Sequence, residues 1–135
     1  MAIRAKRMIL LDTCTLLWLV IDPEKLSTPA IHSIAKYAGN IFVSAITGFE
    51  IGIKAKNGLL QLPKAADLWF TSALTLHGIE VVPITAEIAF ASVALPPIHR
   101  DPADRFIIAT AQYYQYTLIT PDQHIHAYPA MHVLW

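Results

Sequence analysis

Apolar residues run in blocks along this chain rather than alternating singly with polar ones. Four short runs, "MILL" (8–11), "NIFVSAIT" (40–47), "IEVVPIT" (79–85) and "TLITPD" (117–122), are apolar, mostly β-branched and bounded by turn formers, which predicts strands buried on both faces. Between them lie stretches with helical mixing of apolar and polar positions: 13–22, 27–39, 47–58, 63–78, 86–97 and 101–116. Several carry boundary signals. Ser27 and Thr28 precede Pro29 and Gly39 follows, Pro63 leads and Gly78 closes, Pro96 and Pro97 stop a helix, and Pro102 stands as a first helical residue. The stretch "MHVLW" (131–135) adds a candidate fifth strand.

Strands that alternate with helices predict an α/β fold: a largely parallel sheet of four to five strands with helices on both faces. Residues 1–135 read as a single domain in which 1–7 form a short basic arm; no internal repeat or linker interrupts them. In such sheets ligands bind outside the carboxyl ends of the strands, so polar residues there become candidates for chemistry.

Composition narrows the class. Hydrophobic residues make up 55% of the chain and mean hydropathy is +0.46, which suits a covered parallel sheet and an apolar contact between two copies. The single cysteine, Cys14, excludes an internal disulfide framework and reads as a small buried hydrophobe in a reducing compartment. The first residues imitate a secretion signal, but Asp12 interrupts their apolar run, and no stretch is long enough to span a bilayer; a cytoplasmic protein is expected. Formal net charge is zero, which excludes a general electrostatic footprint for nucleic acid. The concentrated cations are Arg4, Lys6 and Arg7 in the arm, with Lys54 and Lys56, as a groove rim or solvated surface.

Only 15% of residues are charged, yet "HRDPADR" (99–105) packs five titratable side chains ahead of an apolar helix. Four acids stand at element junctions: Asp12 closes the first strand, Glu50 lies in the first turn of the helix after the second, Asp104 begins the long helix, and Asp122 follows the fourth strand. A parallel sheet gathers all four at one edge. Clustered carboxylates repel, and a cation that neutralises them, Mg²⁺ or Mn²⁺ for hard oxygen donors, makes the cluster tolerable. Such a site suits phosphodiester hydrolysis. Each acid also has a purely structural role open to it: Glu50 pairs with Thr47 as a capping box, Asp101 caps at Pro102, Asp104 complements the helix dipole, and Asp122 sits in a turn. Asp12, in an apolar run, is the hardest to excuse.

The segments "LLDTCTLLWLV", "VSAITGFEIGIKAKNGLLQLP", "HRDPADRFIIATA" and "LITPDQHIHAYP", taken in order, resemble PIN-domain ribonucleases, specifically VapC-type toxins of type II toxin–antitoxin modules. The resemblance implies a three-layer α/β/α sandwich and a metal site of Asp12, Glu50 and Asp104, with Asp122 as a fourth acid reached through water. It implies metal-dependent endoribonuclease activity leaving a 3′-hydroxyl and a 5′-phosphate, a homodimer, and a cognate antitoxin that fills the site with an arginine and an apolar helix. The chain departs from its relatives at Phe49, where many carry tryptophan, and at Ala103, where an aromatic is common.

Thr13, Ser44 and Thr120 flank the acids as carboxylate-orienting groups or local caps, and Asp101 is a capping or supporting residue. Arg100 and Arg105 are candidates to grip an RNA phosphate, Arg105 equally to pair with a site carboxylate. His124 and His126 alternate as on an exposed strand or loop. Trp18, Trp69, Phe70, Tyr113, Tyr114 and Tyr116 read as helical core or interface residues rather than base-stacking platforms. Three other functions compete: a PIN-like scaffold that binds RNA or a partner without cutting, a PIN nuclease without an antitoxin, and aspartyl phosphoryl transfer. The last is disfavoured because haloacid-dehalogenase-type phosphatases need a second aspartate where Cys14 stands.

Overall fold

In the computed structural model, which describes residues 7–135, five strands form one sheet. They are β1 (Ile9–Leu11), β2 (Ile41–Ser44), β3 (Ile79–Val82), β4 (Thr117–Ile119) and β5 (His132–Leu134), in the order β3-β2-β1-β4-β5 with every neighbouring pair parallel. The helices between them are α1 (Thr13–Ile21), α2 (Thr28–Lys36), α3 (Ala45–Lys56), α4 (Ala66–His77), α5 (Ala86–Ala94), α6 (Pro102–Tyr114) and a short α7 (Gln123–His126).

The central strand shows why the apolar runs are unbroken. Ile9 and Leu11 pack with Leu16 of α1, Ala30 of α2, Ile51 of α3 and Trp69 of α4 on one face, while Leu10 packs with Ile88 of α5, Ile107 of α6 and Ile125 of α7 on the other. Both faces are covered, giving the expected α/β/α layering. Ile9, Leu10 and Leu11 are fully buried, worth about 1.5–3 kcal/mol apiece in transfer from water.

The register then decides what meets at the carboxyl edge. Leu11 pairs with Val43 on one side and Ile119 on the other, so the next residues, Asp12, Ser44 and Thr120, leave the sheet at one level.

Several boundaries differ from the sequence reading. Helix α3 begins at Ala45 because the Ser44 hydroxyl accepts the Ile46 N–H at 3.1 Å, which ends β2 early. Glu50 therefore lies beyond the first turn, and Thr47, inside the helix, is no cap; no capping box forms. Helix α4 starts three residues after Pro63, and His124 and His126 belong to α7 rather than to a strand or open loop. Gln115 takes a left-handed conformation (φ 58°) that ends α6, so Tyr116 leaves the helix and stacks on Phe42 at 5.1 Å. Of the expected basic arm, Arg4 and Lys6 lie outside the described residues. Arg7 sits 6.0 Å from the Tyr37 ring at the amino end of β1, away from the acids, and so rims no groove there. No helix among the described residues is long and apolar enough to cross a membrane.

Candidate metal centre

Asp12 follows directly on β1 and does two jobs with two oxygens. Oδ1 accepts the Thr15 N–H at 2.8 Å and so caps α1, while Oδ2 accepts the Thr120 hydroxyl at 2.5 Å. Asp12 is only 4% exposed. Its charge within an apolar run thus has a local structural reason as well as a place in the site. Burial raises its carboxyl above the ordinary value, and the hydrogen bonds from Thr120 and Thr15 offset part of that rise.

Glu50 reaches the same pocket from α3. Its Oε1 accepts the Thr13 hydroxyl at 2.5 Å, and Thr13 in turn lies 3.0 Å from the Thr47 hydroxyl. Thr13 and Thr120 thus hold carboxylates, whereas Ser44 only caps. Glu50 is raised by burial, with the Thr13 bond acting against it and Asp101 adding to it.

Asp104 enters from the first turn of α6, which Asp101 caps by accepting the Ala103 N–H at 2.9 Å. Burial, then the negative charges of Asp101 and Glu50, push the Asp104 carboxyl up to about 7. Asp122 caps α7 by accepting the His124 N–H at 2.9 Å. Burial works to raise Asp122, but hydrogen bonds from the His99 ring and the His124 backbone outweigh it and hold the carboxyl below its usual range.

These four acids line one pocket of about 290 Å³, together with Asp101, Lys54 and Cys14. Two tighter groupings share Asp104: the donor atoms of Glu50, Asp101 and Asp104 within the pocket, and those of His99, Asp104 and Asp122 at its edge, each lie within 4.8 Å of one another. Asp12 is outside both groupings, its oxygens being turned to Thr15 and Thr120. Among the described residues no Lys or Arg forms an ion pair with Asp12, Glu50, Asp101, Asp104 or Asp122. Oxygen-rich, mutually repelling and without an arginine or lysine counter-ion in contact, the donor set fits a hard divalent cation.

Two other expectations change. Cys14 is half-buried at the pocket rim rather than in the core; burial and then Asp12 push its thiol up to about 11, so it stays protonated and is a poor ligand. Arg105 pairs with no carboxylate and is not available for phosphate. Its guanidinium donates to the carbonyls of Ser92 (2.8 Å), Leu95 (2.9 Å), Pro96 (3.1 Å) and His99 (3.0 Å), binding the segment between α5 and α6. His126 points its Nε2 at the Thr120 carbonyl, 2.9 Å away, so that nitrogen is taken up by the backbone.

His99 is the site residue that the sequence reading passed over. Its Nε2 lies 2.9 Å from Asp122 Oδ2 and 3.0 Å from Asp104 Oδ2. The only signal for it was its place in the charge-rich segment before Pro102. Beside the acidic pocket, and sharing Glu50, Lys54 and Asp101 with it, an apolar groove of about 450 Å³ is lined by Ile46, Phe49, Ile53 and Phe106.

Known proteins resemble this chain along nearly its whole length. The PIN domain family model matches residues 9–130. Ribonuclease VapC22 of Mycobacterium tuberculosis is 34% identical over 130 residues, covering 94% of this chain and 98% of that protein. A toxin–antitoxin complex from Klebsiella pneumoniae superposes with a TM-score of 0.63 at 25% identity, covering 94% of this chain and 96% of that one. VapBC2 from Rickettsia felis, bound to a DNA fragment from its promoter, gives 0.69 at 16% identity over 94% and 98% of the two chains. With nearly its whole length matched by the family model and by a relative 34% identical to it, this chain belongs to the PIN-domain family.

Proposed function

We propose that the chain is a divalent-metal-dependent endoribonuclease, the toxin of a toxin–antitoxin pair, acting in the cytoplasm as one domain that dimerises. The observation that carries this reading is the convergence of Asp12, Glu50, Asp104 and Asp122 on one pocket at the carboxyl edge of the sheet. Asp12, Glu50 and Asp104 would hold Mg²⁺ or Mn²⁺, with Asp122 as a fourth acid of the same pocket; the relative at 34% identity is named a ribonuclease. A bound cation of this kind polarises a phosphoryl oxygen and makes its water more acidic.

The protein's own part is to place the carboxylates and the RNA. Thr13 and Thr120 fix the rotamers of Glu50 and Asp12. Lys54 on the pocket wall, and Arg100, exposed and free of ion pairs among the described residues, contact the RNA backbone. The apolar groove beside the acids takes the apolar face of an antitoxin helix, leaving a basic side chain of that partner to neutralise the pocket. Phe90 and Val93 on α5, each 78% exposed, are the dimer face.

The test is cleavage of end-labelled total RNA by the antitoxin-free protein with Mg²⁺, Mn²⁺ or EDTA, beside Asp12→Asn. Site-specific cutting that needs metal and is absent from Asp12→Asn is expected. No cutting by folded wild type with either ion, or equal cutting by the variant, overturns the assignment in favour of a binding scaffold.

A further inference from the structure

We propose that His99 is a positioning residue of the metal centre, its Nε2–H holding Asp122 beside Asp104, and that it is not itself a metal ligand. This rests on the reading of Asp104 and Asp122 as part of that centre.

At first sight His99, Asp104 and Asp122 make a plausible set of three ligands, because their donor atoms lie within 4.8 Å of one another. The other ring nitrogen decides against it. His99 Nδ1 accepts the backbone N–H of Asp101 at 3.2 Å. A nitrogen that accepts an N–H carries no proton, so in a neutral imidazole the proton sits on Nε2. Protonated Nε2 has no lone pair for a cation; its hydrogen goes to Asp122 Oδ2 at 2.9 Å, while Asp104 Oδ2 lies 3.0 Å from the same nitrogen. The ring thereby holds the carboxylate at the start of α7 next to the one at the start of α6.

The rest of the loop is built to keep the ring there. The His99 backbone N–H donates to the Tyr128 hydroxyl at 2.7 Å, and that hydroxyl donates to the Pro96 carbonyl at 2.9 Å. The His99 carbonyl accepts from Arg105 at 3.0 Å. Tyr128 is only 4% exposed, so this anchor is rigid. Arg105 and Tyr128 thus reach the site through His99, which gives Arg105 a role that neither phosphate binding nor a carboxylate pair supplies.

The test uses the full chain and Mn²⁺ as probe. Loss of the free-ion electron paramagnetic resonance signal gives the Mn²⁺ affinity of wild type, His99→Ala, His99→Gln and Asp104→Asn. We expect His99→Ala to weaken binding by roughly 10- to 100-fold, the usual cost of removing a group that orients a ligand, and His99→Gln, whose amide N–H reaches a similar place, to recover most of it. Pulsed spectra of bound Mn²⁺ should show no coupling to imidazole nitrogen, and ¹⁵N resonances of metal-stripped wild type should show His99 protonated at Nε2 and bare at Nδ1. Nitrogen coupling that vanishes in His99→Ala, the opposite tautomer, or unchanged affinity in His99→Ala while Asp104→Asn binds poorly overturns the proposal alone. Equal Mn²⁺ binding by wild type and Asp104→Asn, or no binding by either, overturns the metal centre and this inference together.

Discussion

The two halves of the acidic pocket are held by different means. On the strand side, Asp12 and Glu50 are gripped by hydroxyls of Thr120 and Thr13, residues at the ends of β4 and β1 whose places follow from sheet register. On the helix side, Asp104 and Asp122 share one imidazole carried on the segment between α5 and α6, which Arg105 and Tyr128 must hold in shape. The first half inherits its precision from the fold. The second depends on side chains that clamp a loop, so it is the half that substitutions outside the pocket reach most easily. The carboxyls there also diverge: Asp104 is pushed up to about 7 by burial and by Asp101 and Glu50, whereas the hydrogen bonds to Asp122 overcome its burial and keep it low.

The largest expected effect comes from removing a carboxylate that both donor groupings share. Asp104→Asn should slow RNA cleavage roughly a thousandfold, about 4 kcal/mol of lost transition-state stabilisation, with a circular dichroism spectrum like that of wild type. A residual rate within tenfold of wild type would show that Asp104 is dispensable.

Thr120→Val tests the strand side. It removes the donor to Asp12 Oδ2 and the acceptor for the Asp122 N–H while keeping shape, and should weaken Mg²⁺ binding by roughly 10- to 100-fold in calorimetric titration. Unchanged affinity would mean that register alone places Asp12.

On the helix side, Arg105→Ala leaves several carbonyls of the clamped loop without their donor, and unfolding in urea should report about 1–3 kcal/mol of lost stability. Arg105→Lys should not restore it, because an ammonium cannot reproduce the planar fork that spans five carbonyls. Full recovery by lysine would show that charge, not the geometry of the fork, holds the loop.

The smallest effect is a pH trend with a definite sign. Between the ordinary value of 3.8 and about 7, folded Asp104 keeps a proton that the unfolded chain has lost, so the folded state binds more protons and stability falls as pH rises through that window. Asp12 and Glu50 act in the same direction. Asp122 acts oppositely: the stability it contributes is present above 3.8 and is lost as pH falls below it. Metal-stripped protein should therefore melt at a lower temperature at pH 8 than at pH 5.5, and Mg²⁺ should raise the melting temperature more at pH 8. A melting temperature that climbs from pH 5.5 to pH 8 without metal would contradict the crowding of these acids.

Much of this was legible in residue order. The apolar runs at 8–11, 40–44, 79–82 and 117–119 became strands because their patterns are local, and "MHVLW" became β5 for the same reason. Ser27 and Asp101 cap the helices they precede, since a cap needs only the next few residues. Asp12, Asp104 and Asp122 stand at element junctions and Glu50 reaches the same pocket from inside α3, because a parallel sheet sends every strand end to one side. Local signals also competed, and there the reading slipped. Thr47 and Glu50 have capping-box spacing, but Ser44 lies earlier and took the cap, freeing Glu50 to face Thr13, 37 residues away in sequence.

By itself, then, the sequence determined a parallel α/β sheet, the places of its helices and the gathering of Asp12, Glu50, Asp104 and Asp122 at one edge, all of which follow from periodicity and chain direction. Only the tertiary structure decided which partner each carboxylate has. Thr120 meets Asp12 across 108 residues and His99 meets Asp122 across 23, through contacts of about 3 Å or less that no spacing rule encodes. The same holds for Arg105. Whether a guanidinium finds a phosphate, a carboxylate or five backbone carbonyls depends on where the chain around it turns, and that is settled by packing.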